Sequence, residues 1–179
     1  MPTPRGGSET VSIHGLPFTF SRRTYLRPDD SDAYQKLSGR GVKDMDVWVA
    51  SPDRLLFVEV TSSGTMKKYF VGGDGVRRLA DDLTARVMHS LLVLTAGLAA
   101  MEPAAAMTGE HPCDVRGRAV KLVFLVSIGE DRPVDVITLK DLLVRSLRPA
   151  LTICGLDEHD VVVMTPAQAK RQPDFPYLN

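Results

Sequence analysis

Two apolar runs of strand length, Val47-Trp48-Val49-Ala50 and Leu55-Leu56-Phe57-Val58, flank the tetrad Ser51-Pro52-Asp53-Arg54. Proline fixes φ at the second position of a tight turn, and the neighbouring Ser and Asp bond local backbone, so the tetrad predicts a hairpin. Side chains alternate along a strand, which puts Leu55, Phe57, Glu59 and Thr61 on one face and Leu56, Val58 and Val60 on the other. Glu59 is out of place in so apolar a run. A carboxylate there requires a hydrogen-bond partner, a counter-charge or a metal, because desolvating it alone costs several kcal/mol.

The rest of the chain falls into recognisable periods. Residues 1–10, rich in Pro, Gly and Ser, read as a disordered leader, and residues 13–20 as an irregular first strand with Pro17 at an edge or bulge. A polar stretch, 21–43, carries Arg22, Arg23, Arg27, Lys36 and Arg40. Within it, residues 30–37 predict a short helix capped by Asp30 or Ser31, and Gly39 and Gly41 turn the chain into the hairpin. Residues 62–75 predict a loop holding Lys67, Lys68 and Tyr69. From Val76 to Leu98, apolar residues at 76, 79, 80, 83, 87, 91, 94 and 98 form one helical stripe with Asp74 as N-cap. Gly97 and Pro103 are its candidate stops, and 107–118 reads as a surface loop.

Residues 119–127 have the continuous apolar character of a buried central strand. Residues 138–147 predict a helix capped by Thr138 and ending near Pro149, 160–164 a short last strand, and 168–179 a tail. The order strand, polar segment, hairpin, helix, strand, helix, strand defines an α/β domain over 11–167. Its mixed central sheet, flanked by helices, contains an antiparallel hairpin and parallel returns after each helix.

Composition narrows the function classes. At 179 residues the chain suits one well-buried domain, and 44% hydrophobic with 25% charged residues is ordinary for a globular protein. The 22 basic and 22 acidic residues cancel, which argues against a polybasic binder and favours a protein partner or homo-oligomer. Cys113 and Cys154 have no metal-ligand spacing and read as reduced thiols of a cytoplasmic protein. No secretory core or membrane span is encoded, so no membrane partner is expected.

Among motifs, Gly72-Gly73-Asp74-Gly75 lacks a phosphate-loop pattern and reads as a loop and cap. His14, His89, His111 and His159 show no zinc-hydrolase spacing, and no Ser occupies a nucleophile elbow. Trp48 reads as packing, and Asp44 as a turn or solvated residue. Asp44 and Asp46 lie two apart on the first hairpin strand, and Glu59 faces the same side if the register places it near Asp46. Carboxylates converging at a sheet surface form a hard oxygen site for Mg²⁺ or Mn²⁺, with the Val60 carbonyl as a further ligand. Such an ion polarises phosphoryl oxygen and acidifies bound water, the requirements of phosphodiester hydrolysis.

An Asp on one hairpin strand, Glu-x-Lys on the next and a long helix after it resemble the PD-(D/E)xK, or restriction-endonuclease-like, superfamily. The matching positions are Asp46, Glu59 and Thr61, over about residues 40–98. The resemblance implies a restriction-endonuclease-like core, a Mg²⁺- or Mn²⁺-dependent nuclease held by Asp46 and Glu59, nucleic acid as partner, and a role in bacterial defence or repair. Thr61 stands where that family has its catalytic lysine, and a hydroxyl neither activates water nor stabilises phosphate charge strongly. Lys67, Lys68 or Arg86 could supply the missing cation. Two alternatives stay open: a catalytically degenerate subunit binding nucleic acid or protein in a larger complex, and an α/β protein whose carboxylates are structural.

Overall fold

The computed structural model describes residues 7–21, 24–51, 53–70, 73–110, 117–127, 136–173 and 175–178. Arg22, Arg23, Pro52, Gly72, His111 and Cys113 lie outside them. The architecture is mixed α/β: a two-stranded sheet of β1 (Ser8–Ile13) and β2 (Leu16–Ser21), and a five-stranded sheet in the order β3-β4-β5-β6-β7. The larger sheet comprises β3 (Tyr25–Leu26), β4 (Val47–Ala50), β5 (Arg54–Thr61), β6 (Ala119–Val126) and β7 (Val161–Met164).

The β3-β4-β5 pairings are antiparallel and the β5-β6-β7 pairings parallel. Each parallel return is made through helix, as a crossover requires. Helices α2 (Ser63–Tyr69), α3 (Gly75–Leu98) and α4 (Ala104–Glu110) join β5 to β6, and α5 (Val136–Ile153) joins β6 to β7. Among the described residues the remaining α-helices are α1 (Asp32–Ser38), which follows a 3-10 turn at Pro28–Asp30, and α6 (Pro166–Ala169).

Alternation along the strands divides the core in two. On one face Trp48, Leu55, Phe57, Leu122, Phe124 and Val161 pack against Leu79, Leu83, Val87 and Leu91 of α3 and Leu139, Leu143 and Leu147 of α5. On the other, Val47, Val49, Leu56, Val58, Val123 and Leu125 are covered by Ile13, Phe18 and Phe20 of the small sheet and by Ala169, Phe175 and Leu178. Burying such a side chain stabilises by about 1.5–3 kcal/mol, so each face holds its helices or its cover by hydrophobic transfer. Of the α3 stripe predicted at 76, 79, 80, 83, 87, 91, 94 and 98, those from 79 to 94 are buried, whereas Val76 is half-buried and Leu98 is exposed.

Several boundaries differ from the sequence expectation. The leader range overlaps β1, which begins at Ser8 and pairs with β2 from Ser8↔Ser21 to Ile13↔Leu16. The presumed loop over 62–75 contains α2, because Ser62 accepts the Thr65 N–H at its N-terminus. The loop over 107–118 contains part of α4. Helix α5 continues through Pro149 to Ile153, burying Ala150 and Leu151 beyond it; packing on the sheet outweighs the missing N–H there. The tail over 168–179 is structured at Phe175–Leu178: Tyr177 O accepts the Thr19 N–H at 2.7 Å and Leu178 bridges Phe18. Asp74 occupies the N-cap position of α3 without a side-chain cap bond, whereas Ser31 caps α1 as expected.

Candidate functional site

The predicted hairpin forms with the register Val47↔Val58 and Trp48↔Phe57. Continuing it by one residue sets Asp46, just ahead of β4, opposite Glu59 of β5. Asp46 closes the end of the ladder with its side chain: Oδ2 accepts the Val60 N–H at 2.7 Å. Its other oxygen, Oδ1, lies 3.2 Å from His14 Nε2. That histidine stands at the tip of the β1-β2 hairpin in the left-handed region, φ 48°. Its hydrogen bond with Asp46 raises its pKa above the ordinary value, against the effect of burial.

Glu59 is buried on the helix-covered face, as its alternation with Phe57 and Thr61 dictates. Burial, and after it the charge of Asp46, push its carboxyl well above the usual carboxylate range, while Arg86 opposes the shift. Arg86 comes from α3, with Nη1 3.3 Å from Glu59 Oε1. Glu59 Oε2 is buried without a hydrogen-bond partner.

Around Arg86 lies a wider polar network. Its Nη1 donates to the Asp44 carbonyl at 3.3 Å and its Nε to Asp82 Oδ2 at 3.4 Å. Asp82 accepts tighter bonds from Lys43 Nζ at 2.9 Å and the Tyr69 hydroxyl at 2.7 Å. Burial raises the Asp82 pKa, but the bonds from Lys43 and Tyr69 and the charge of Arg86 together bring it down to about 2. Asp82 and Arg86 are one helical turn apart, and that i, i+4 spacing is a sequence signal that would have paired them. His14 carried no such signal, since it arrives from a different sheet.

Asp44, expected as a turn or solvated residue, is instead buried. Its Oδ1 accepts from Met45 N–H at 2.8 Å, from Trp48 Nε1 at 3.0 Å and from the Ser90 hydroxyl, and its own N–H donates to the Tyr34 hydroxyl at 2.8 Å. These bonds fasten the lead-in to β4 onto α3 and α1, which fixes where Asp46 emerges. Trp48 is fully buried against Phe57, ring centroids 4.6 Å apart, and therefore packs as expected.

The remaining candidates separate. Thr61 is buried beside Val126, its register partner. Lys67 and Lys68 are exposed on α2; Lys68 Nζ lies over the Tyr69 ring at 4.7 Å, and neither lysine forms an ion pair with Asp46 or Glu59. The structure thus brings Asp46, Glu59, the Val60 backbone and Arg86 together and leaves Lys67 apart.

A divalent cation fits part of this set. Asp46 and Glu59, both of hard oxygen chemistry, are register neighbours at the ladder end, where the charge of Asp46 raises the Glu59 pKa, and the unpartnered Glu59 Oε2 is the atom such an ion would satisfy. Among the described residues no group of three or more His, Cys, Asp or Glu is arranged to hold a metal. Comparisons with protein-family models, curated proteins and solved structures found no match. Among the described residues no helix is long and apolar enough to cross a membrane.

Proposed function

We propose that this chain is a metal-dependent nuclease-like protein with a restriction-endonuclease-like core, acting on nucleic acid phosphodiesters. Asp46 and Glu59 would hold Mg²⁺ or Mn²⁺, with the Val60 carbonyl as a backbone ligand. The observation that carries this reading is the pair Asp46 and Glu59 at the head of an antiparallel hairpin, with Glu59 Oε2 buried and unpartnered. The order hairpin, long helix, parallel strand, helix, parallel strand supports it. The ion would supply Lewis-acid polarisation of the phosphoryl group and a more acidic water.

The chain's own residues do the rest. Asp46 is held in place by the Val60 N–H and His14. Arg86 takes over the charge of the missing lysine, since its guanidinium reaches Glu59 where Lys67 does not. Asp82, fixed by Lys43 and Tyr69, keeps that guanidinium at the carboxylate pair. A role in bacterial defence or repair is consistent with such an activity.

The test is cleavage of single- and double-stranded DNA and RNA in Mg²⁺ or Mn²⁺. Cleavage should depend on the metal and fall by at least about 100-fold in Asp46→Ala and in Glu59→Ala, the scale of losing an electrostatic group from a reaction centre. Activity that survives both substitutions would rule out this site.

A second reading, a degenerate nuclease-fold subunit binding nucleic acid or a protein partner, is favoured by two observations. Arg86 already neutralises Glu59, and Thr61 leaves no lysine on the strand. Thermal denaturation separates the two. A site that holds Mn²⁺ gains about 2.7 kcal/mol at a hundred times the Kd, because only the native state binds. Under the nuclease reading that gain disappears in Glu59→Ala; under the degenerate reading Mn²⁺ has no effect on either protein.

A further inference from the structure

On the sheet face opposite the acidic cluster, the cover is incomplete. The small sheet supplies Ile13, Phe18 and Phe20 to this face, and α6 with the C-terminal segment supplies Ala169, Phe175 and Leu178. On this face lies a cavity of about 140 Å³ lined by Leu56, Val123, Val162, Met164, Phe175 and the polar residues Arg54, Lys121 and Gln172. Its floor comes from three adjacent parallel strands, aligned by the pairs Leu56↔Lys121, Val123↔Val162 and Leu125↔Met164. Phe175, buried, closes it from the C-terminal side.

Lys121 is the unexpected residue here. It stands near the start of a central strand, on the same face as Val123 and beside Leu56, in a run that is otherwise Ala, Val, Leu and Phe. It is half-buried and makes no ion pair with a described residue. Two described acids on the flanking segments already hold hydrogen bonds. Asp53 accepts from Arg54 Nη2 at 2.8 Å and Nε at 3.1 Å, and Asp160 Oδ2 accepts the Asp157 N–H at 3.0 Å. Two cations therefore flank an apolar floor, and Arg54 is bonded to Asp53. A half-buried ammonium gains most from an anion that also brings apolar surface to the floor.

We propose that this cavity is a binding site for a small organic monocarboxylate with a compact apolar body. The carboxylate meets the Lys121 ammonium, with the Gln172 amide and Arg54 at the mouth. The apolar body rests on Leu56, Val123, Val162 and Met164 under Phe175. Size sets the limit: a cavity of roughly 150 Å³ lined by apolar side chains accommodates one benzene ring, whereas drug-sized ligands occupy about 300 Å³ or more. The site is independent of the acidic cluster, since it lies across the sheet and uses none of its residues.

Benzoate is the probe, titrated into the full chain without divalent cations and followed by the NMR shifts of the Met164 and Val162 methyl groups. Saturable shifts in both are expected. Lys121→Met keeps the side-chain length and removes the charge. It should weaken benzoate roughly tenfold, the scale of one charge-assisted hydrogen bond, and leave the binding of neutral benzyl alcohol unchanged. Val162→Phe, at a half-buried position, fills the cavity and should abolish both. The proposal is overturned if millimolar benzoate moves neither methyl, if Lys121→Met binds it as well as the parent chain, or if benzyl alcohol binds as tightly as benzoate. A tripeptide ending in phenylalanine that binds more tightly than benzoate would replace the free acid by a polypeptide terminus and overturn it likewise.

Discussion

Asp44 illustrates how one buried carboxylate couples the site to folding. Burial pushes its pKa from 3.8 to about 6, although the bonds from Ser90, Trp48 and Met45 pull it down. The folded state therefore holds the proton more tightly than the unfolded chain. Below pH about 4 both states are protonated and the group's contribution is complete. As the pH rises through about 6 the unfolded chain releases its proton first, and that stability is lost. Two pKa units correspond to about 3 kcal/mol. Asp44→Asn keeps the acceptor for Trp48 and Ser90 and adds an amide NH₂ where Oδ2 has no partner, a cost that does not vary with pH. In metal-free urea denaturation the stability of Asp44→Asn relative to the parent should thus improve by up to about 3 kcal/mol between pH 4 and 7. A difference flat across that range would show that Asp44 is not the titrating group, since Glu59 contributes equally to both proteins.

At the scale of elements, what the sequence disclosed depended on whether a local period or a distant partner set the structure. The hairpin and α3 were legible because alternation and the 3.6-residue stripe each require a buried face, and alternation marked Glu59; Asp46 and Arg86 were singled out by the resemblance to the PD-(D/E)xK superfamily. Helices α2 and α4 were not: each spans seven residues, too few for a decisive period, whereas α1, equally short, was announced by its Ser31 cap. Strand β3, of two residues, exists only through its pairing with Trp48 and Val49. Likewise no local pattern announced that His14 meets Asp46 or that Tyr69 and Lys43 meet Asp82. Helix α4 depends on a close approach that Gly97 permits. A Cβ at Gly97 would run into the Thr108 side chain and lie 2.8 Å from the Ala104 carbonyl, so Gly97→Ala must push α4 off α3. The gain in helix propensity, about 1 kcal/mol, is outweighed by overpacking that costs roughly 1–3 kcal/mol and by exposure of Met107, which α4 buries. Thermal denaturation should show a net loss of stability. Unchanged or raised stability would mean that α4 docks without needing Gly97.

The whole molecule is a sheet with two unlike covers, and the two acidic residues take their partners from different ones. The helix cover supplies Arg86 to Glu59; the other cover, the β1-β2 hairpin, supplies His14 to Asp46. That hairpin pairs with no strand of the large sheet, so side-chain packing and the C-terminal segment hold it. Phe20 stacks on Tyr25 at 4.6 Å and approaches Tyr177 at 5.7 Å, Tyr177 O accepts the Thr19 N–H, and Phe175 meets the Tyr177 ring edge at 5.4 Å. Removing residues 173–179 strips Phe175 and Leu178 from the core and leaves Phe18 without its bridge. Each lost side chain costs about 1.5–3 kcal/mol, so the shortened chain should be destabilised by roughly 4 kcal/mol in urea. The loss should also reach the acidic cluster, because a hairpin freed from its clasp no longer holds His14 against Asp46. The His14 pKa, raised in the intact chain by that hydrogen bond, should fall back toward 6.5 in the shortened one, as read by NMR titration of its ring protons. If the His14 pKa stays raised while stability drops, the C-terminal segment supports the core alone and the hairpin holds its place against Asp46 without it.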